Sequence, residues 1–492
     1  MKLISRPPNS SAVDAQDLVA SQRLRLSATD LSNHLACRHL TTLELRVAKG
    51  EAPKPQWAAP DLQVIRELGL RHEKRYLTFL EEKKELSVTN LSHFGNQDEK
   101  ILLAETFRLM AEGADVIAQG ALGDEQWFGR PDVLLRVAKP SGLWAWSYEV
   151  QDTKLAKETK ATTILQLSLY SDLLKTIQGS QPELMWVIPP RKDFLGESYR
   201  VAEYAAYYRH VRKQLSSVVS EGAAGATYPE PVPHCDVCQW FLECETRRRG
   251  DDHLSLVAGI RKQQRNQLEE WNTVTMASLS VLPIPLKERP KRGSREGIER
   301  VREQARVQVE GRADKKLKYE LLLPVAEGMG LCRLPEPSAD DMFLDLEGDP
   351  FVGESGLQYL FGFAFQNANG ELRYKKKWAL DREEEKNGFE WVVDEIVRRR
   401  KANLQTHVYH FGAYEPSVLK RLMGIYATRQ DEIDDMLWEG TFVDLHQILK
   451  QSARASVEEY SLKKIEGLYG FERTTPLDLA GLAMRFVQHQ LE

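Results

Sequence analysis

The chain has 492 residues, of which 42% are hydrophobic and 28% are charged, and its formal net charge is −5. This length suffices for two or three domains, since a single hydrophobic core stops growing at roughly 250–300 residues. No apolar stretch reaches the roughly 20 residues of a membrane-spanning helix, and the N-terminus lacks an apolar signal core, so we expect a cytoplasmic protein without a membrane partner. The acidic balance excludes a strongly basic protein, so contacts with nucleic acid require local clusters of Lys and Arg.

Cysteines divide the chain unevenly. One lies near the N-terminus, three follow about two hundred residues later, and the fifth stands apart: Cys37, Cys235, Cys238, Cys244 and Cys332. Thiols stay reduced in the cytoplasm, so grouped cysteines are interpreted as metal ligands before disulfides. The capped apolar pattern LSATDLSNHLA predicts that Cys37 lies on or just after a short helix. Cys332 has no grouped partner and is predicted to be a small buried hydrophobe.

The segment between these cysteines predicts mixed α and β structure. LQVIRELGLRHEKRYLTFLEE has the apolar spacing of an amphipathic helix. DVLLRV and LWAWSYEVQD are β-type runs, and the turn-rich AKPSG between them predicts a hairpin. KETKATTILQLSLYSDLLKTI predicts a long helix, and LMWVIPP predicts a strand that prolines end.

Acidic and basic residues of the predicted hairpin form a first candidate catalytic set. Asp132 begins the first strand, and Asp152 and Lys154 are two residues apart near the end of the second, so they point the same way. Carboxylates are ligands for Mg²⁺ or Mn²⁺, and a lysine beside them activates water and offsets phosphate charge. His72 on the preceding helix is a further candidate metal ligand.

On the following helix, Gln166 and Tyr170 are four residues apart and share one face, from which they could reach a nucleic-acid backbone. Each of these features alone has an ordinary explanation: D-x-K occurs by chance, a helical His is usually a surface or core residue, and a Gln/Tyr pair usually packs.

In this order, the motifs in residues 26–250 resemble a RecB-like nuclease of the PD-(D/E)XK superfamily. The resemblance implies an α/β, restriction-endonuclease-like N-terminal domain after an N-terminal tail, 1–25. It also implies that Asp132, Asp152 and His72 hold the metal ion while Lys154 acts at the attacking water. Glu73, beside the histidine, is either a substitute for it or an additional acid of the site, or else a solvated helix residue.

The spacing of the cysteine trio, with two and then five intervening residues, resembles the iron–sulfur site of RecB-like nucleases when joined by the remote Cys37. Four thiolates suit a [4Fe–4S] cluster or Zn²⁺, and the resemblance favours the cluster. Either group would have a structural role, because it closes a loop of about two hundred residues.

Residues 251–338 predict a helical, basic connector. The strip KERPKRGSR contains five cations, of which four are candidates for either a nucleic-acid contact or a solvated linker: Lys287, Arg289, Lys291 and Arg292.

Residues 339–492 predict a second α/β domain, in which three β-type runs precede helices and the short strand HVYHF. Asp345 and Glu347, two residues apart on the first strand, project from one face. Paired acids on this strand resemble the opening motif of RNase H-like 3′–5′ exonucleases, in which two metal ions hold the scissile phosphate.

The same resemblance assigns a histidine and an acid of a later motif to His410 and Glu415, although Phe411 replaces Asn, and Glu replaces Asp, in the usual pattern. Asp444 matches a further acid of the family or caps a strand end.

Together, the two domains resemble a family that joins a RecB-like nuclease to a YprB-type RNase H-like (DEDD exonuclease-like) domain, often fused to a helicase. No final acid motif is evident before the end of the sequence, so we expect an incomplete second domain: either a fragment of a longer protein or a module that cuts poorly. The resemblance implies a DNA nuclease in repair, recombination or defence. The alternatives are an RNA-processing exonuclease and a non-catalytic nucleic-acid-binding module for a helicase in cis or in trans.

Overall fold

The computed structural model describes residues 1–491 apart from 6–21, 57–61, 95–98, 157, 221–226, 324–325 and 353–354. The chain is a mixed α/β protein that divides into two compact units, Met1–Arg247 and Arg248–Glu492. No helix in the described ranges is long and apolar enough to cross a membrane.

The first unit is built on a six-stranded mixed sheet with the strand order β10-β9-β8-β7-β4-β3. β1 pairs with β2 and β5 with β6 in two further, two-stranded sheets. The strands of the first unit are β1 (Lys2–Ser5), β2 (Gln22–Arg25), β3 (Val88–Asn90), β4 (Val116–Ala118), β5 (Leu122–Gly123), β6 (Phe128–Gly129), β7 (Val133–Val137), β8 (Ser147–Thr153), β9 (Leu184–Ile188) and β10 (Glu197–Arg200). The predicted hairpin is confirmed, because β7 pairs antiparallel with β8, and β9 then adds parallel to β8.

Helices complete this unit: α1 (Ala28–Ala36), α2 (Arg38–Ala48), α3 (Leu62–Glu82), α4 (Glu99–Glu112), α5 (Ala161–Gln178), α6 (Val201–Ser220) and α7 (Phe241–Gly250), the last of which contains the division between the units. Helix α5 is buried along most of its length against the sheet, and its residues Leu165, Leu169 and Leu173 belong to the main core. Gly179, with φ of 71°, ends α5 in the left-handed conformation that glycine adopts without strain.

The N-terminal segment that we predicted as a tail contains structure where it is described. β1 pairs antiparallel with β2, and residues 6–21 between them lie outside the described part. Ser27 caps α1 by accepting a hydrogen bond from the backbone N–H of Asp30. Cys37 follows α1 immediately, as the apolar pattern predicts, and stands between α1 and α2.

The second unit contains a five-stranded sheet with the order β14-β13-β12-β15-β16 and a separate β11-β17 pair. Its strands are β11 (Tyr319–Leu321), β12 (Met342–Asp349), β13 (Leu357–Gln366), β14 (Leu372–Trp378), β15 (Val408–His410), β16 (Phe442–Asp444) and β17 (Ala453–Ala455). Its helices are α8 (Lys262–Glu270), α9 (Met276–Ser280), α10 (Arg295–Asp314), α11 (Arg382–Ala402), α12 (Tyr414–Tyr426), α13 (Gln430–Trp438), α14 (Leu445–Ser452), α15 (Leu462–Ile465) and α16 (Leu477–Leu491).

In the five-stranded sheet, β12, β13 and β14 are antiparallel neighbours, whereas β15 and β16 add in parallel on the other side of β12. Leu344, Phe361 and Phe363 project from one face of the sheet and pack with Phe389 of α11 in the main core of this unit. The alternate residues of β12 therefore project from the opposite face.

The region predicted as a connector is part of the second unit, where it packs against β17 and its neighbours. The side chain of Gln304 on α10 donates to the carbonyl oxygen of Ala455 in β17 at 2.8 Å, and β11 pairs with the same strand. Cys332 is exposed, so its predicted burial was wrong: it lies in a short 3₁₀ turn at the surface, Gly330–Arg333.

Candidate functional site

The two aspartates of the predicted catalytic set converge at the end of the β7–β8 hairpin. Both Oδ2 hydrogen bonds of Asp132 come from Thr153, whose backbone N–H and hydroxyl each donate at 2.8 Å. Lys154 forms an ion pair with Oδ2 of Asp152. Thr153, between Asp152 and Lys154, thus links the two strands, and the three predicted residues share one location.

Asp152 is fully buried, and this burial raises the pKa of its carboxyl group to about 7, with the nearby charge of Asp132 acting in the same direction and Lys154 opposing it. Neighbouring carboxylates repel each other, and Lys154 offsets only part of this repulsion at Asp152. This electrostatic frustration is typical of a site built for function rather than for stability.

Glu73 and Gln119 complete the set. Nε2 of Gln119 donates to Oε1 of Glu73 at 2.6 Å and lies 3.4 Å from Oδ1 of Asp132. Burial, followed by the charge of Asp132, raises the pKa of Glu73. The sequence left the role of Glu73 undecided. It gave no signal for Gln119, whose φ of 53° is an uncommon left-handed value for a residue with a side chain.

His72 is buried at the edge of this cluster. Its Nε2 lies 3.0 Å from the carbonyl oxygen of Ile188, which also accepts the backbone N–H of Lys154 at 3.0 Å. A carbonyl oxygen only accepts, so Nε2 carries the proton and Nδ1 carries the lone pair. Burial lowers the pKa of His72 and keeps the ring neutral, whereas Asp132 acts in the opposite direction. A neutral imidazole oriented by a backbone carbonyl is the form that ligates metal ions.

Gln166 and Tyr170 both face the cluster from α5, but their environments differ. Nε2 of Gln166 donates to Oδ1 of Asp152 at 3.2 Å. Tyr170 is only 5% exposed, and its hydroxyl lies 3.4 Å from the carbonyl oxygen of Arg130. Tyr170 is therefore a residue of the main core that lies near Asp152 and Gln166.

Three of the four grouped cysteines share a small apolar cluster. Cys37, Cys238 and Cys244 pack with Leu40 and Trp240. Burial raises the pKa of the Cys238 thiol, and the charges of Cys235 and Cys37 act in the same direction, so all four thiols are neighbours. No three of these sulfur atoms lie within 4.8 Å of one another. The fold gathers the thiols without closing them into a tight coordination shell.

Polar contacts hold the same two chain segments together. Oε1 of Glu44 on α2 accepts hydrogen bonds from the side chains of Gln239 at 2.7 Å and Trp240 at 2.9 Å. Nδ1 of His39 lies 2.8 Å from the hydroxyl oxygen of Thr227. Residues separated by almost two hundred positions thus meet around the thiols.

A second acidic cluster lies on β12 and the elements beside it. Asp345 is exposed, and Glu347 is half-buried on the same strand. Partial desolvation by the surrounding protein raises the pKa of each carboxyl group, and the charge of Asp345 raises the pKa of Glu347 further, whereas Lys463 lowers it.

Glu415, at the first turn of α12, faces these acids. Burial raises its pKa to about 7, and its Oε2 has no hydrogen-bond partner among the described residues. Nδ1 of His410 lies 3.8 Å from this oxygen. The charges of Asp345, Glu347 and Asp444 all raise the pKa of Glu415, so the four predicted acids lie near one another. Oδ1 of Asp444 accepts hydrogen bonds from backbone N–H groups, including that of Gly412 at 3.1 Å, and Asp444 caps the start of α14 directly after β16.

The predicted basic strip lies outside both clusters. The four candidate cations of the strip are exposed in the segment before α10: Lys287, Arg289, Lys291 and Arg292. Nζ of Lys291 forms an ion pair with Glu270 at 2.9 Å, a contact of little energetic weight at an exposed position.

Comparison with known families bears on the second unit. A model of the RNase_H superfamily matches residues 342–489. This segment is an RNase H-like domain. The match confirms the C-terminal part of the sequence prediction and indicates a role in nucleic-acid processing, since members of this superfamily generally bind and hydrolyse nucleic acids with the help of divalent metal ions. A search of curated proteins finds no match.

The donors of the RNase H-like domain fit such an ion. Asp345, Glu347 and Glu415 offer hard carboxylate oxygens, the ligands that Mg²⁺ and Mn²⁺ prefer. The buried, unpartnered Oε2 of Glu415 would be satisfied by a cation. In the first unit, Asp132, Asp152 and the Nδ1 lone pair of His72 are a second group of donors with suitable chemistry. In neither group do three ligand atoms lie within 4.8 Å of one another, so an ion would have to draw the side chains closer.

Proposed function

We propose that this chain is a metal-dependent nuclease that hydrolyses phosphodiester bonds in DNA, acting on single-stranded or end-containing substrates in repair, recombination or defence. The observation that carries the proposal is the joint placement of Asp132, Asp152 and Lys154 at one end of a hairpin, with Asp152 buried. The RNase H-like domain supplies independent support for action on nucleic acid.

In the first unit, we assign the chemistry to a PD-(D/E)XK-type centre. Asp132, Asp152 and His72 would hold Mg²⁺ or Mn²⁺, which would lower the pKa of a bound water and polarise the phosphate. Thr153 fixes the orientation of Asp132 by donating two hydrogen bonds, and Gln166 fixes Asp152. Lys154, about a third exposed, has its ammonium at the boundary between the buried acid and solvent, where it can meet the attacking water and the phosphate.

For the gathered cysteines, we propose a [4Fe–4S] cluster with a structural role, and Zn²⁺ is the alternative occupant. Support comes from the common location of Cys37, Cys235, Cys238 and Cys244 and from the polar contacts that join the same segments. Because these residues lie apart from Asp132 and Asp152 in the sequence and pack in a separate apolar cluster, the site would hold the fold rather than take part in hydrolysis.

A second candidate function is RNA processing by the RNase H-like domain, with the first unit as a platform. The facing arrangement of Asp345, Glu347 and Glu415 favours it, because these acids form a donor set of their own. Binding of DNA by the exposed basic strip and loading by a helicase remain predictions of the sequence.

One assay separates these functions. Full-length protein is incubated with Mn²⁺ and end-labelled single-stranded DNA, duplex DNA or RNA, and Asp152→Ala is compared with Asp345→Ala. Loss of DNA cleavage through Asp152→Ala supports the proposal, whereas loss through Asp345→Ala alone, with RNA as the better substrate, supports the second function. Asp434→Ala, an exposed acid of α13, serves as the control. Salt-sensitive binding without any metal-dependent product would contradict both functions.

A further inference from the structure

The sheet of the RNase H-like domain has an open face around its acids. Leu344 and Leu346 of β12 project into the core under α11, so Phe343, Asp345 and Glu347 project from the other face. Phe343 is 45% exposed there, although large aromatic side chains usually bury most of their surface. An exposed ring at this position is available to contact a ligand.

Strand register places aromatic and basic residues of β14 in line with the acids. Residues paired directly across antiparallel strands share a face of the sheet. Three such rows run from β12 through β13 to β14: Phe343 with Ala364 and Tyr374, Asp345 with Gly362 and Lys376, and Glu347 with Leu360 and Trp378. We call the four β12 and β14 residues that flank the acids, Phe343, Tyr374, Lys376 and Trp378, the open-face group.

The aromatic members are exposed yet held in place by other rings. Tyr374 is 55% exposed and Trp378 is 45% exposed. Phe343 stacks on Tyr409 with ring centroids 5.2 Å apart, and Trp378 stacks on Tyr359 at 6.2 Å with an angle of 13° between the planes. Rings ordered before binding lose little conformational entropy when a further flat group stacks on them.

Gly362 brings Tyr374 close to the acids. A Cβ atom at this glycine would lie 2.0 Å from the hydroxyl oxygen of Tyr374, so the tyrosine ring lies across the space that a side chain would fill. Burial raises the pKa of Tyr374, and the charges of Asp345 and Glu347 raise it further, which places the ring beside both carboxylates. The aromatic surface and the acids therefore form one continuous region.

Cations accompany the rings. Lys376 is exposed in the same row as Asp345 and forms no ion pair with the residues that the structure describes. Lys463 of α15 is close enough to Glu347 to lower the pKa of its carboxyl group. Rings that accept flat partners, cations that pair with phosphates and carboxylates suited to metal ions thus coincide on one face.

We propose that the open-face group binds unpaired nucleotides of a single-stranded nucleic acid and leads the strand to Asp345 and Glu347. The inference rests on the proposed nuclease function and adds a binding surface to it. Every base has a flat face that stacks on an aromatic ring, and Lys376 would pair with the backbone phosphate. Duplexes keep their base faces stacked inside the helix, so they cannot use this surface.

A protein partner suits this face less well. β14 is an edge strand to which another strand could add, but Lys375, Lys376 and Lys377 run consecutively along it, and lysines on an edge oppose such pairing. Of the three, Lys376 lies on the open face, where its charge is complementary to a phosphate backbone, whereas Lys375 lies 3.8 Å from Glu395 of α11 and Lys377 donates to the carbonyl oxygen of Asn387.

The test is photochemical cross-linking of the full-length protein in EDTA, where no cleavage is expected. A thymidylate or uridylate oligomer carrying one 5-iodouracil is irradiated with the protein, and the attached peptides are identified by mass spectrometry. We expect attachment at Phe343, Tyr374 or Trp378 with either single strand, and at least fivefold less with a duplex of the same sequence. Attachment confined to other parts of the chain, or equal attachment with the duplex, overturns the proposal.

Matched variants sharpen the result. Tyr374→Ala/Trp378→Ala should reduce attachment at Phe343 at least fivefold, since one stacked base contributes about 1–3 kcal/mol, or roughly 5- to 150-fold. Trp438→Ala, which removes a ring 92% exposed at the end of α13, should leave attachment unchanged. Lys376→Ala keeps every ring and should weaken attachment less at high salt than at low salt. Cross-linking without any nuclease activity would refute the proposed function and leave the binding surface in place.

Discussion

The two acidic clusters of this chain use the same local strand pattern, but the strand acids that begin them differ in burial. In the first unit, Asp152 is fully buried and its neighbours Asp132, Glu73 and Lys154 are tied by hydrogen bonds or an ion pair. In the RNase H-like domain, Asp345 is exposed on the open face of its strand. Spacing of two residues along a strand determines that two charged groups share a face. The tertiary environment determines how far the pKa of each group is shifted.

The lysines of the two clusters lie in different environments. Lys154 contacts a buried carboxylate directly, whereas Lys463 acts on Glu347 only through its charge. The interaction energy between two charges is larger where protein excludes water from between them than where water screens them. The two lysines should therefore differ in their effect on cleavage.

Lys154→Ala should reduce metal-dependent DNA cleavage by about 10²–10⁴-fold, the range for a group that acts at the attacking water. Lys463→Ala should reduce cleavage by less than about tenfold because its charge is screened. Initial rates on single-stranded DNA measure both effects, with Lys175→Ala and Lys464→Ala as exposed controls. Equal losses from the two changes would remove the proposed difference between the clusters.

Cys238→Ser should destabilise the first unit by about 2–5 kcal/mol, because it removes one corner of a group that closes a long loop. The RNase H-like domain should be unaffected. Thermal unfolding, together with iron, sulfide and zinc content after anaerobic purification, gives the measurement. Cys332→Ser, at an exposed cysteine, is the control. A metal-free wild type as stable as the loaded protein would contradict the structural role.

Asp152→Asn should increase the unfolding free energy by about 2 kcal/mol at pH 8 in EDTA, while Asp345→Asn should change it by less than about 0.5 kcal/mol. Burial raises the pKa of Asp152 from 3.8 to about 7, so its ionisation is opposed in the folded state. The wild type should therefore lose stability between about pH 4 and pH 7 through this group, and the loss should persist above pH 7. Chemical denaturation across this range is the measurement, and identical pH profiles for wild type and Asp152→Asn would contradict it.

Gln119→Gly should lower DNA cleavage about tenfold without lowering stability. The side chain that bridges Glu73 and Asp132 is lost, but glycine adopts the left-handed backbone at φ 53° more readily than glutamine does. Cleavage rates and thermal unfolding of the same preparation measure the two effects. If cleavage is unchanged, Gln119 is not a positioning residue. Glu81→Gln on α3 controls for a change in surface polarity.

Short-range patterns predicted a substantial part of this molecule. The β7–β8 hairpin, the helix end at Cys37 and the acid strand β12 follow from local spacing and turn residues, which depend little on the rest of the chain. The RNase H-like character of the second domain was also accessible, because its paired acids lie close together in one strand. Cys332 was misjudged because a lone cysteine carries no periodic signal of burial.

The sequence by itself determined which chemical groups are available and which of them share a strand face, since alternation along a strand is a property of the backbone. Only the tertiary structure decided that Gln119 joins Glu73 to Asp132, that Tyr170 is buried and that Tyr374 lies across Gly362 beside Asp345. These relations join residues from different elements, and their geometry depends on packing and register that no local pattern encodes.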